Sequence, residues 1–178
     1  MKSMIIAATA VAALAAGVTP ALAQSTSPVS YYGSIGDTYL TKNGSLNEIT
    51  GRVGARWGQY LGVEGEIGGG VSSMSGPGYK ASEPLAGALY GVVFYPLMPN
   101  LDVLARVGYG ESNFHNTYAA TPRLNGSQTT TSVNYGVGAQ YFLTANDGVR
   151  GDYTKRDYMH HGAPYDADAW SLSYVRKF

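Results

Sequence analysis

Five arginines and three carboxylates of this chain share one side of a period-two alternation: Arg52, Arg56, Glu64, Glu66, Arg106, Arg150, Asp152 and Arg156. Such a set supports two kinds of chemistry. Open to water, it selects ions. Desolvated, it persists as charge-assisted pairs, often bidentate, because a buried charge without a partner is too costly to keep. A second set is His115, His160 and His161, with Ser112 and Ser127 as neighbours of His115 in a polar stretch. A serine and a histidine act as nucleophile and base only within hydrogen-bond reach, and nothing in this spacing demands it. His160-His161 lies near Asp157, Asp166 and Asp168, yet adjacent histidines on a loop read as solvated side chains more readily than as a metal site. The chain has no cysteine, which excludes a disulfide framework and a thiolate site. No catalytic residue, metal or cofactor is expected.

The elements that must position the charged set are strands. From Ile49 to Val71 the sequence alternates with period two. Ile49, Val53, Ala55 and Trp57 fall on one face, Thr50, Arg52, Gly54 and Arg56 on the other. After Gly58-Gln59-Tyr60 the alternation resumes, with Leu61, Val63, Ile67 and Val71 opposite Gly62, Glu64, Glu66 and Gly68. The three-residue break reads as a hairpin turn, and an odd-numbered turn keeps the arginines and glutamates on one face.

Alternation does not say which face points inward; composition does. Only 13% of residues are charged, about half the ~25% of a soluble domain, too few to wet the outside of a soluble barrel. The polar face is rich in glycine, which suits crowded sites of close backbone approach. The fifteen tyrosines and two tryptophans often fall near the expected strand ends, where membrane barrels carry aromatic girdles. The apolar face therefore meets lipid and the charges face a lumen.

The chain opens with Lys2, an apolar run from Met4 to Ala16, and Ala21-Leu22-Ala23 before Gln24. This reads as a secretory signal peptide, residues 1–23, cleaved after Ala23. Residues 24–178 read as one all-β domain, an eight-stranded antiparallel transmembrane up-and-down barrel, since no later run is long enough for a membrane helix and only a closed barrel otherwise satisfies its backbone in lipid. The expected strands are about 29–39, 49–57, 61–71, 85–95, 101–110, 132–142, 148–156 and 167–178. Short turns at Gly58–Tyr60, Pro96–Asn100 and Thr144–Asp147 alternate with loops at 72–84, 111–130 and 157–166, and Lys42–Ser45 makes the first outer turn. A formal net charge of zero argues against nucleic acid as a partner.

The arm YLGVEGEIG (Tyr60–Gly68), the run LARVGYG (Leu104–Gly110) and the ending WSLSYVRKF (Trp170–Phe178) resemble the outer-membrane β-barrel family of small, porin-like OmpA- and OmpX-type proteins. The resemblance implies the outer membrane of a Gram-negative cell, a multi-pass barrel, and lipids and lipopolysaccharide as surroundings. It also implies that Trp170, Leu172, Tyr174 and Phe178 form the C-terminal signal read by the barrel assembly machinery; Arg176 departs from the usual apolar residue. A few barrels of this size act on lipid A through a serine and a histidine, the least favoured reading here. The expected function is non-enzymatic and monomeric, envelope-structural or surface-interacting, with Tyr79, Tyr118, Leu124, Tyr158, Met159 and Tyr165 as candidate loop contacts. The alternative is a narrow pore, leaning to anions because five arginines face three acids. In a lumen this small, the eight charges are expected to form a structural network rather than a channel lining.

Overall fold

The computed structural model describes residues 29–41, 46–71, 74–76, 79–118, 126–159 and 165–178. The signal-peptide residues, Lys42–Ser45, Arg123, Leu124, His160 and His161 lie outside them. The elements are β1 (Val29–Thr41), β2 (Leu46–Trp57), β3 (Leu61–Gly70), β4 (Met74–Gly76), β5 (Tyr79–Met98), β6 (Leu101–Tyr118), β7 (Gly126–Phe142), β8 (Asp147–Met159) and β9 (Tyr165–Lys177). Each long strand pairs antiparallel with its chain neighbours, β1 pairs with β9, and β3 pairs directly with β5. Eight long strands thus close into an up-and-down barrel. Strand β4 lies outside the ring and pairs only with the first residues of β5.

Closure needs two local features. Gly58, in the β2–β3 turn, has φ of 61°, a left-handed conformation that glycine adopts without a steric penalty. At the seam between the first and last strands, a Cβ on Gly36 would lie 2.1 Å from the Leu172 carbonyl oxygen. Only glycine lets β1 and β9 come this close. Phe178 N–H then donates to the Tyr31 carbonyl, 2.9 Å away, fastening the chain end to β1.

The two faces are as the alternation predicts. Outside are Ile35, Val53, Ile67, Val93, Val107, Val137 and Leu172, all strongly exposed, with Tyr31, Tyr60, Tyr95 and Tyr141 toward the turn end and Tyr39, Tyr109, Tyr135 and Trp170 toward the loop end. Inside, Tyr32, Tyr90, Val92, Phe94, Leu104, Phe142 and Val175 pack into an apolar layer. A smaller cluster of Leu40, Leu46 and Ala169 lies toward the loop end.

Three strands run well past their expected ends. β5 starts at Tyr79 rather than Leu85, β6 continues to Tyr118 rather than Gly110, and β7 begins at Gly126 rather than Ser132. Residues 111–130, expected as a polar loop, largely form a continuing ladder in which Asn116 pairs with Gly126. Beyond the membrane both faces of a strand are wet, so apolar alternation vanishes there, although the threonines of Thr129–Thr131 still favour extended backbone. The β5 strand also carries through Pro96–Met98, with a bulge at Leu97 between the paired Pro96 and Met98.

Candidate functional site in the barrel lumen

All eight sequence-predicted charges face inward and are buried: Arg52, Arg56, Glu64, Glu66, Arg106, Arg150, Asp152 and Arg156. Strands that face one another across the lumen bring seven of them into one connected cluster, while Arg56 stands apart toward the turn end. Arg150 on β8 reaches across to Glu64 on β3, through one Nη at 3.1 Å and a second, shorter bond. Its Nε donates to Asp152 at 2.9 Å. Glu66 accepts from Arg52 Nε at 2.7 Å and from Arg106 Nη1 at 2.9 Å. Arg52 Nη1 also lies 3.4 Å from Asp152. Hydroxyls complete the shell: Tyr32 donates to Glu64 at 2.8 Å, Tyr90 to Glu66 at 3.2 Å, and Thr154 receives Arg106 Nη2 at 2.6 Å.

Two members escaped the sequence reading. Glu48, fully buried, accepts from Arg156 Nη2 at 3.1 Å at the loop end of the cluster. Asp102 accepts from Arg56 Nη1 at 2.8 Å and from Gln140 Nε2 at 2.9 Å at the turn end. Each sits at an even position, but Glu48 precedes the apolar alternation that begins at Ile49, and Asp102 follows the Pro99-Asn100 turn. Parity alone would have found both. With them, the buried charges among the described residues are five arginines and five carboxylates. The expected excess of positive charge is corrected: the set is balanced, and every member has an opposite charge within 4 Å.

The apolar layer lies between this cluster and the turn end. Arg56 stacks over the Phe94 ring at 4.4 Å and Lys177 over Phe142 at 3.4 Å, so cations cap the layer. A cavity of about 570 Å³ at that mouth is lined by Arg56, Gln59, Asp102, Lys177 and the Pro96–Pro99 segment. Its lining residues stop at the Arg56–Asp102 pair.

The remaining candidates are dispersed. His115 is opposite Ser127 in the β6–β7 register, while Ser112 is buried on the inner face. Among the described residues no group of three or more His, Asp or Glu side chains could hold a metal. Tyr158, expected as a loop contact, is instead buried inside the barrel at 4% exposure, whereas Met159 is exposed. Parity explains the difference, since the inward face of β8 continues to its end. Trp170, Leu172, Tyr174 and Phe178 all lie exposed, on the outer face of β9 and just past its end. Arg176, the departure among them, pairs with Asp147 at 3.2 Å.

The family model for the outer membrane protein beta-barrel domain matches residues 8–178. No curated protein matches the sequence. Among solved structures, the chain is similar to Ail, the attachment invasion locus protein of Yersinia pestis, solved in complex with the heparin analogue sucrose octasulfate. The TM-score is 0.60 at 12% identity, over 85% of this chain and 99% of that one. It is also similar to the N-terminal β-barrel domain of Pseudomonas aeruginosa OprF, with TM-score 0.60 and 14% identity over 83% and 97%. A third is Neisserial surface protein A, with TM-score 0.57 and 10% identity over 86% and 98%. At these identities the likeness concerns the fold.

Proposed function

The chain belongs to the outer membrane protein β-barrel domain family, integral barrels of the Gram-negative outer membrane, and from that premise we propose that it is a plugged, non-enzymatic barrel serving the envelope and its outer surface rather than transport. One observation carries this reading: ten buried charges pair completely across the lumen. A water column would have to displace bonds that compensate desolvation, in a barrel only wide enough for side chains. The apolar layer adds a dry barrier. Ion selection is then not the work of the eight sequence-predicted charges; they and their two added partners are structural.

What is left for function is the outside. The long β5–β6–β7 ladder lifts backbone above the outer-leaflet rim, a rigid base for surface contacts. That Ail is named for attachment and was solved with a sulfated ligand supports the surface-contact half of the reading. The apolar belt is the contact surface for outer-membrane lipids and lipopolysaccharide, and the barrel acts as a monomer. Trp170, Leu172, Tyr174 and Phe178 present the side chains that the assembly machinery would read.

The test is uptake in a strain lacking its general porins. Expressing this protein should leave the entry rate of small sugars and anions at the empty-vector level, while a general porin restores it. Restored uptake would sink the plugged reading.

A further inference from the structure

The apolar belt is not equally tall all the way round. On β8 the outward residues Asp147 and Lys155 stand eight positions apart, with Val149, Gly151 and Tyr153 between them. On β9 Asp168 and Arg176 are likewise eight apart, enclosing Trp170, Leu172 and Tyr174. At about 3.3 Å per residue and a tilt near 40°, eight residues rise only about 20 Å, against the ~25 Å of an ordinary outer-membrane apolar band. The neighbouring β1 carries Asp37, exposed on the same outer face at mid-height of this belt, in register with Ile49 on one side and Leu172 on the other. Across the barrel, β5 presents Leu85, Gly87, Leu89, Gly91, Val93, Tyr95 and Leu97 without a charge, twelve residues or about 30 Å by the same geometry.

The charges bounding the short face are held close to the sheet rather than free to snorkel away from it. Lys155 Nζ bonds Asp166 at 3.0 Å, and the Tyr153 hydroxyl donates to Asp168 at 2.7 Å. At the other rim Asp147 receives Arg176 at 3.2 Å and also the Tyr174 hydroxyl. Tilting a rigid barrel raises or lowers both edges of one face together, so it cannot lengthen that face. The lipid must shorten instead.

We propose that the β8–β9–β1 face thins the bilayer beside it and gathers lipids with short acyl chains, of about 12 carbons by its ~20 Å height, while the β3–β5 face carries lipid of ordinary length. The barrel is therefore a two-sided lipid contact, one side matched to the membrane and the other mismatched to it.

Tryptophan quenching in mixed vesicles tests this. The protein is reconstituted into 12-carbon and 18-carbon phosphatidylcholine, with bromine on the chains of the 12-carbon lipid. Trp170 reports the short face in a W57F protein; L89W in a W57F/W170F protein reports the tall one. Trp170 should be quenched as though the 12-carbon lipid stood at about twice its bulk fraction, and the L89W reporter as at bulk. Neutralising charges of this face with D37N, in mid-belt, and K155Q and D168N, at its loop-end rim, should bring Trp170 to the bulk curve. Equal quenching of the two reporters overturns the proposal, as does enrichment that persists after neutralisation in a protein that still shows its folded gel mobility. If the triple variant does not fold, the comparison of the two reporters decides alone.

Discussion

Glu66 is the most heavily used acceptor in the lumen, shared by Arg52 and Arg106, with Arg156 3.6 Å away and the Tyr90 hydroxyl beside it. Removing it leaves cations facing each other in a dry interior, where breaking a buried pair costs about 3–5 kcal/mol, far more than such a pair contributes relative to an apolar filler. Glu66→Ala should therefore lower the denaturant midpoint of the detergent-folded barrel by roughly that free energy, about 3 kcal/mol. An unchanged midpoint would mean that the network is not structural. At this scale the sequence was informative about side and poor about partners. Even-position parity put eight charges in the lumen, but period two says nothing of which strands meet across it. That Arg150 reaches Glu64, eighty-six residues earlier in the chain, is set by barrel closure, which no local pattern encodes.

Strands were legible where lipid wets one face and the lumen dries the other, and illegible where water reaches both. Hence β2 and β3 were read almost to the residue from Ile49 onward, while the upper parts of β5, β6 and β7 looked like loop. The short turns were easier, since Gly58–Tyr60 and Thr144–Asp147 interrupt the alternation abruptly. The second of these ties β7–β8 to β9. Its Asp147 carboxylate accepts from the Tyr174 hydroxyl, from Thr144 Oγ1 at 3.2 Å and from Arg176, and chiefly the tyrosine hydrogen bond holds its pKa below the usual carboxylate range. A group depressed on folding stabilises above its unfolded pKa, about 3.9 for aspartate, and that contribution fades as pH falls through the lower folded value. Asp147→Asn should thus lose stability relative to the native barrel at pH 7, with the gap closing as the pH is lowered below about 4. Denaturant midpoints at a series of pH values would check this. A gap that is constant with pH would assign the loss to packing at the turn.

Taken whole, the molecule is a barrel whose inside and outside have exchanged the roles they take in a soluble protein. The charges that a soluble domain spends on its surface are here concentrated inside, five against five. That inversion explains why so few charges suffice. The barrel architecture followed from counting alternating segments between turns, while the neutrality of the lumen required Glu48 and Asp102, which sit at strand starts where turn and strand signals compete. The defining property of this barrel is a lumen filled by side chains rather than by water. Planar-bilayer recording of the purified, detergent-folded barrel tests this most directly: the native protein should give no discrete conductance steps in molar potassium chloride. Steady single-channel openings, above all openings that select anions, would contradict the paired network and return the arginines to the lining of a pore.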